Sequence, residues 1–101
     1  MAPSRADDLP PDVRAAYEAL RAKFRSGLAA RWREIEQAGS AAELAAALHR
    51  LAGAAGGYGF DTIGEAARAA ERLAAEGPGA GLDRALAALQ RVVHEAQGDG
   101  A

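Results

Sequence analysis

The chain has 101 residues, no cysteine and a formal net charge of −2. These values indicate one small domain without disulfides, thiolate zinc ligands or a cysteine nucleophile, and they argue against a nucleic-acid-binding face. No apolar run approaches the roughly 18 residues of a membrane span, and residues 1–11 lack the apolar segment of a secretory signal, so we expect a cytoplasmic protein. Alanine, the strongest helix former, accounts for 29 residues. The composition therefore predicts a nearly all-helical domain with a thin core.

The first predicted helix spans residues 11–38 and follows a tail, residues 1–10, that we expect to be flexible. Proline at position 11 suits the first turn of a helix. Apolar residues then recur at steps of three and four, which predicts one core-facing stripe on an amphipathic helix. The stripe consists of Val13, Tyr17, Leu20, Phe24, Leu28, Trp32 and Ile35. Ser26 and Gly27 predict a bend or break in this helix, and Gly39 predicts its end.

The second predicted helix begins after Ser40, which forms a capping box with Glu43. In such a box each of the two side chains bonds a free backbone amide at the start of the helix. The apolar stripe that follows contains Leu44, Leu48, Leu51, Ala55 and Tyr58. Glycines at positions 56, 57 and 59 predict the end of this helix.

The third predicted helix begins at a second capping box, formed by Thr62 and Glu65. Its apolar side is almost entirely alanine, so a neighbouring helix can approach it closely. We expect this helix to end before a glycine-rich linker over residues 77–81.

The fourth helix is predicted over residues 82–97, with Gly98 as its stop and residues 99–101 frayed. Each of the four helices has one apolar stripe and a polar remainder. Amphipathic helices joined by short connections predict an all-α fold, an antiparallel four-helix bundle over residues 11–98.

The most informative residue is a histidine on the polar side of the second helix. At 100° per residue, His49 lies about 140° around this helix from Leu44, whereas the apolar stripe lies within about 40° of it. Small residues surround the histidine and Arg50 lies further round; the set is Ala45, Ala46, Arg50, Gly53 and Gly56. Glycine inside a helix costs about 0.8–1 kcal/mol relative to alanine, so its use here indicates close approach by a partner protein or another helix.

Simpler interpretations stand beside this one. An exposed histidine is most often a solvated side chain, and the glycines are also typical of a turn between helices. His94 lies in the last turn of the fourth helix, where a cation interacts favourably with the helix dipole. Neither histidine belongs to an H-E-x-x-H or inward Glu-x-x-His pattern, so no metal site is predicted and a metal-binding bundle stays a remote alternative.

The segment from residue 48 to residue 60 resembles the signature of histidine-containing phosphotransfer (HPt) domains. The family pattern is a histidine followed by a hydrophobic residue at plus two, glycine at plus four, a small residue at plus six and glycine at plus ten. The matching residues are His49, Leu51, Gly53, Ala55 and Gly59. The number and spacing of the predicted helices extend the resemblance to most of the chain.

The resemblance implies a four-helix bundle that carries a phosphoryl group on His49 in a two-component phosphorelay. The implied partners are response-regulator receiver domains, hybrid histidine kinases or both, and Mg²⁺ is expected on the receiver domain rather than on this chain. The small residues around His49 would then form the docking surface. One position departs from the family pattern, because Ala52 stands where a lysine is common; Arg50 is the nearest cation along the sequence.

The chemistry of the residues agrees with this implication. A neutral imidazole is nucleophilic and forms a covalent phosphoramidate, and phosphoryl transfer depends mainly on positioning and charge. The chain has no phosphate-binding loop of the kind that nucleotide-dependent kinases use, so we expect no autophosphorylation with ATP. We expect a monomer. The alternative is a helical adaptor that binds a receiver domain or kinase without carrying phosphate.

Overall fold

The computed structural model describes residues 9–99, which form five helical segments and no strand. In chain order these are α1 (Pro11–Ser26), α2 (Leu28–Glu36), α3 (Ala41–Gly57), α4 (Asp61–Ala75) and α5 (Ala80–Asp99). Helices α1 and α2 are separated by one residue and are the two parts of one bent helix. The predicted all-α bundle of four helices with an interrupted first helix is therefore confirmed.

The interruption falls at Gly27, as the sequence predicts. Gly27 keeps a nearly helical backbone, and its amide donates to the carbonyl oxygens of Lys23 and Phe24. The Gly27 amide thus stays paired where the chain changes direction. Helix α2 then ends at Glu36 with Gln37 as its C-cap, two residues before the end at residue 38 that Gly39 predicts.

The core is built mainly where α3, α4 and α5 pack against each other. Helix α4 packs most closely against α3, because its buried face consists of small residues apart from Ile63. Larger apolar side chains from the other helices fill the remaining space. The fully buried large residues are Leu28, Leu48, Leu51, Leu89 and Val93. The thin, alanine-rich core that the composition predicts is therefore the core that forms, and α3 and α4 are its closest pair.

The two predicted capping boxes have different outcomes. Before α3, the Ser40 hydroxyl accepts from the Glu43 amide at 3.1 Å, and the Glu43 carboxylate accepts from the Gly39 amide at 2.7 Å. Before α4, the second capping box does not form and its prediction is wrong. Helix α4 begins at Asp61, and its N-cap, Phe60, makes no side-chain capping bond. Phe60 instead packs against Phe24 of α1, with 5.0 Å between ring centroids, so tertiary packing determines this helix start.

The connection between α3 and α4 is a tight turn that ends α3 after Gly57. The Phe60 amide donates to the Ala55 carbonyl at 2.8 Å, and the Gly59 amide donates to the Gly56 carbonyl. Gly59 has a φ of 79°, the left-handed conformation in which this turn places glycine. This short turn makes α3 and α4 an antiparallel pair, and it brings the polar sides of the two helices next to each other.

The N-terminal half of α1 corrects one expectation about the core. The sequence predicts that Val13 and Leu20 face the core, but they are 46% and 47% exposed. The inward side of α1 is formed by Tyr17, Arg21 and Phe24 instead, which contact the α3–α4 turn. The Arg21 guanidinium donates to the Tyr58 carbonyl at 2.8 Å, which joins this side of α1 to the turn.

The last helix is longer than predicted at both ends. It begins at Ala80, so the linker is four residues, 76–79, and it continues through Gly98 to Asp99. The predicted stop at Gly98 is therefore wrong, because one glycine with helical backbone costs too little to end a helix that packs along α4. The expected flexibility of residues 1–8 and fraying of residues 100–101 lie outside the described residues.

No helix within residues 9–99 combines the length and the apolar character that crossing a membrane requires.

Candidate functional site

His49 lies in the middle of α3 and points away from the core. Its neighbour Leu48 is fully buried, and Leu51 two residues later is 1% exposed, so these two leucines fix the rotation of the helix. The His49 side chain is 78% exposed. The exposure that the helical periodicity predicts is therefore present.

One residue of α4 holds the imidazole ring. The Nδ1 atom of His49 lies 3.1 Å from Oε2 of Glu71, a side chain that is 31% exposed. An ionised carboxylate only accepts hydrogen bonds, so Nδ1 must donate and carry the hydrogen. In the neutral ring the unprotonated nitrogen is then Nε2, which has no hydrogen-bond partner among the described residues. The arrangement presents a nucleophilic nitrogen with a fixed orientation to solvent.

His49 lies in an open groove between α3 and α4. Small residues line the α3 side, and charged residues dominate the α4 side. The lining residues are Ala45, His49, Ala52 and Gly53 from α3, and Arg68, Glu71, Arg72 and Ala75 from α4. The groove is open to solvent, so a partner of protein size can reach the imidazole.

The residues predicted to surround His49 fall into two groups. Ala45 and Gly53 line the groove with the histidine. Ala46 and Arg50 lie on the other side and line a separate cleft between α2 and α3. Arg50 forms an ion pair with Glu34 of α2, in which its Nε donates to Oε1 at 3.1 Å. The nearest cation in sequence is therefore engaged away from the groove.

The glycines of α3 differ in their surroundings. A Cβ atom added at Gly53 would meet no atom within 4 Å among the described residues, so packing inside this chain does not explain a glycine there. At Gly56 the same atom would lie 3.4 Å from Nη2 of Arg68, whose side chain crosses from α4 onto α3. The open backbone at Gly53, one turn after the histidine, is available for contact by a partner.

Ala52, which stands where the resembling family commonly has lysine, is 3% exposed and packs under α4. Its carbonyl oxygen lies 3.6 Å from the position that a Cβ atom would take at Gly64. Position 52 therefore contributes close helix packing and no charge.

Three charged groove residues of α4 are not predicted from the sequence, namely Arg68, Glu71 and Arg72. A usable signal was the symmetry of the hairpin, since His49 and Glu71 are equally distant in sequence from a turn centred on Phe60. Antiparallel helices of equal rise place such positions side by side. Pairing these positions of α3 and α4 requires the exact centre of the turn between them, and the sequence alone predicts that centre only to within a few residues.

His94 is exposed in α5 and makes no side-chain hydrogen bond or ion pair with another residue of the described range 9–99. The same described range contains no group of three residues that could hold a metal ion.

The comparisons with known proteins give one positive result. The family model described as Hpt domain matches residues 6–99, which is nearly the whole chain. Neither a curated protein nor a solved structure matches the chain.

Proposed function

Since this chain belongs to the Hpt domain family, we propose that it carries a phosphoryl group on Nε2 of His49. Hpt domains perform histidine phosphotransfer in phosphorelays, where they interact with receiver domains and kinases. The proposed reaction moves the phosphoryl group to or from the aspartate of a response-regulator receiver domain, in the cytoplasm.

The observation that carries this proposal is the state of the His49 ring. The side chain is exposed, Nδ1 is bonded to Glu71, and Nε2 is free. A solvated histidine without a function needs no such partner, and a histidine that packs in the core is not this accessible.

The proposed transfer moves the phosphoryl group from the receiver aspartate to the imidazole in one displacement. The Nε2 lone pair attacks the phosphorus of the receiver acyl phosphate, and the bond from phosphorus to the aspartate oxygen breaks. The electron pair leaves with the aspartate as a carboxylate, and Nδ1 keeps its hydrogen. The ring becomes positively charged, and the Glu71 carboxylate stabilises that charge. The reverse steps return the phosphoryl group.

This chain needs few groups of its own for that reaction. The receiver would bring the aspartate and Mg²⁺, which neutralises the charge on the transferred group. The small residues Ala45 and Gly53 beside His49 let the two protein backbones come close together. Ala46, Arg50 and Gly56 extend the proposed docking surface around the same helix, and the protein would act as a monomer.

The proposal is tested by incubating the chain with a receiver domain that carries ³²P on its aspartate. We expect the wild type to take up acid-labile label, and His49→Gln to take up none. His94→Gln is the matched control, because it removes the other histidine, and it should label like the wild type.

Label on His49→Gln would contradict the assignment of the acceptor. A wild type that binds receiver domains but takes up label from none of them would favour the adaptor function instead.

A further inference from the structure

The groove around His49 holds two cations that are available for a ligand. Arg68 and Arg72 both line it, and neither forms an ion pair or a side-chain hydrogen bond within the described part of the chain. By contrast, Arg50 is engaged with Glu34 on the far side of α3. Two guanidinium groups of the groove that holds the exposed imidazole are therefore without a carboxylate partner among residues 9–99.

The register of the helix pair places Arg68 opposite Ala52. His49 contacts Glu71, and Gly56 lies next to Gly64, so the two helices run antiparallel with a constant offset. Ala52 comes three residues after His49, and Arg68 comes three residues before Glu71. Arg68 consequently lies across from the position where the resembling family commonly has lysine, one turn from the histidine.

The charge of the groove makes these cations necessary for a phosphorylated histidine. A phosphoryl group carries a charge of about −1.5 to −2 near neutral pH. Glu71 balances the positive charge of the phosphorylated ring, and position 52 supplies no cation for the phosphoryl oxygens. Opposite charges attract each other, so Arg68 and Arg72 of the same groove can stabilise the negative phosphoryl group.

The arginine side chains also have the reach for this role. Nη2 of Arg68 lies 3.4 Å from the Cβ position of Gly56, so the side chain already extends across to α3. Gly56 is on the same side of α3 as His49, two turns later. A change of rotamer of an exposed side chain is fast, and it moves the guanidinium along the groove toward the histidine.

We propose that Arg68 and Arg72 bind the phosphoryl group on His49, and that they replace from α4 the lysine that α3 lacks at position 52. The inference rests on the proposed function of His49. The planar guanidinium can donate two hydrogen bonds to phosphoryl oxygens, so it orients the group as well as neutralising it. Burial of Ala52 allows the close packing of α3 and α4 that brings these arginines to the site.

The test uses the full chain, with phosphoramidate as a small phosphoryl donor and a phosphorylated receiver domain as the protein donor. For the Arg68→Ala and Arg72→Ala double variant we expect transfer from the receiver to be about tenfold slower. In ³¹P NMR titrations of the phosphorylated chain, the same variant should raise the pKa of the phosphoryl group by about half a unit.

Two matched variants complete the experiment. Arg84→Ala removes an exposed arginine of α5 outside the groove and should change neither the transfer rate nor the pKa. The double variant Arg68→Lys and Arg72→Lys keeps both charges and should recover most of the rate.

The outcomes separate the two proposals. A wild type that takes up phosphate from neither donor overturns the function of His49. If the wild type is phosphorylated but the double alanine variant matches it in rate and in phosphoryl pKa, only the role of the two arginines is overturned. An equal loss in Arg84→Ala would overturn it as well, because the effect would then follow net charge.

Discussion

Helices α3 and α4 differ from α1 in how they are held, although all three have amphipathic sequences. The α3–α4 pair packs through alanine and glycine, and its shared face includes fully buried Ala55 and Ala67. Helix α1 has one buried residue, Phe24, and leaves much of Val13 and Leu20 exposed. The pair that carries the site thus has a fixed register, whereas α1 is attached mainly by contacts near the α3–α4 turn.

The difference shows what small side chains contribute to this protein. Backbones that approach closely leave few alternative positions for the residues between them. His49 and Glu71 depend on this, because their hydrogen bond needs a defined offset between two helices. No side-chain hydrogen bond or ion pair joins α1 to α4 among the described residues.

The largest expected effect comes from weakening the packing of α3. Leu48→Ala removes a side chain with no exposed surface and should lower the free energy of unfolding by about 2–5 kcal/mol. Urea denaturation followed by circular dichroism measures this change. A loss below about 1 kcal/mol would mean that α3 is not the centre of the core. It would then not be more tightly packed than α1.

An intermediate effect of the opposite sign is expected at Gly53. Its backbone is helical and a Cβ atom there would meet nothing, so Gly53→Ala should raise the free energy of unfolding by about 0.8–1 kcal/mol. The same denaturation measurement checks it. A destabilised variant would show that the glycine serves packing within the chain.

A bulkier side chain at this position separates stability from docking. Gly53→Leu should slow phosphotransfer from a receiver domain more than it changes stability, because the leucine would lie between the two proteins. Unchanged transfer together with clear unfolding would contradict the proposed docking surface.

The smallest effect is expected in α1. Leu20→Ala makes the same chemical change as Leu48→Ala but at a half-exposed position, and it should cost about 0.5 kcal/mol. Measured beside Leu48→Ala, this variant allows the losses of free energy of unfolding in α1 and α3 to be compared directly. Equal losses in the two variants would show that α1 is as tightly packed as α3.

The sequence by itself determined the elements and the direction in which His49 points. Alanine content, the Ser40 cap and the glycines at 27 and 59 act locally, within a turn or two of the chain, so they can be interpreted without a partner helix. The rotation of α3 follows from its leucine stripe for the same reason. These features established an all-α bundle with an exposed histidine.

Only the tertiary structure decided what surrounds that histidine. The bond to Glu71, the positions of Arg68 and Arg72, and the diversion of Arg50 to Glu34 all join residues of different helices. Such contacts depend on the offset between helices, which a shift of one residue in the turn would change. The exposure of Val13 and Leu20 also depends on tertiary structure. A stripe of apolar residues predicts which side of a helix can be buried, but not whether another helix covers that side.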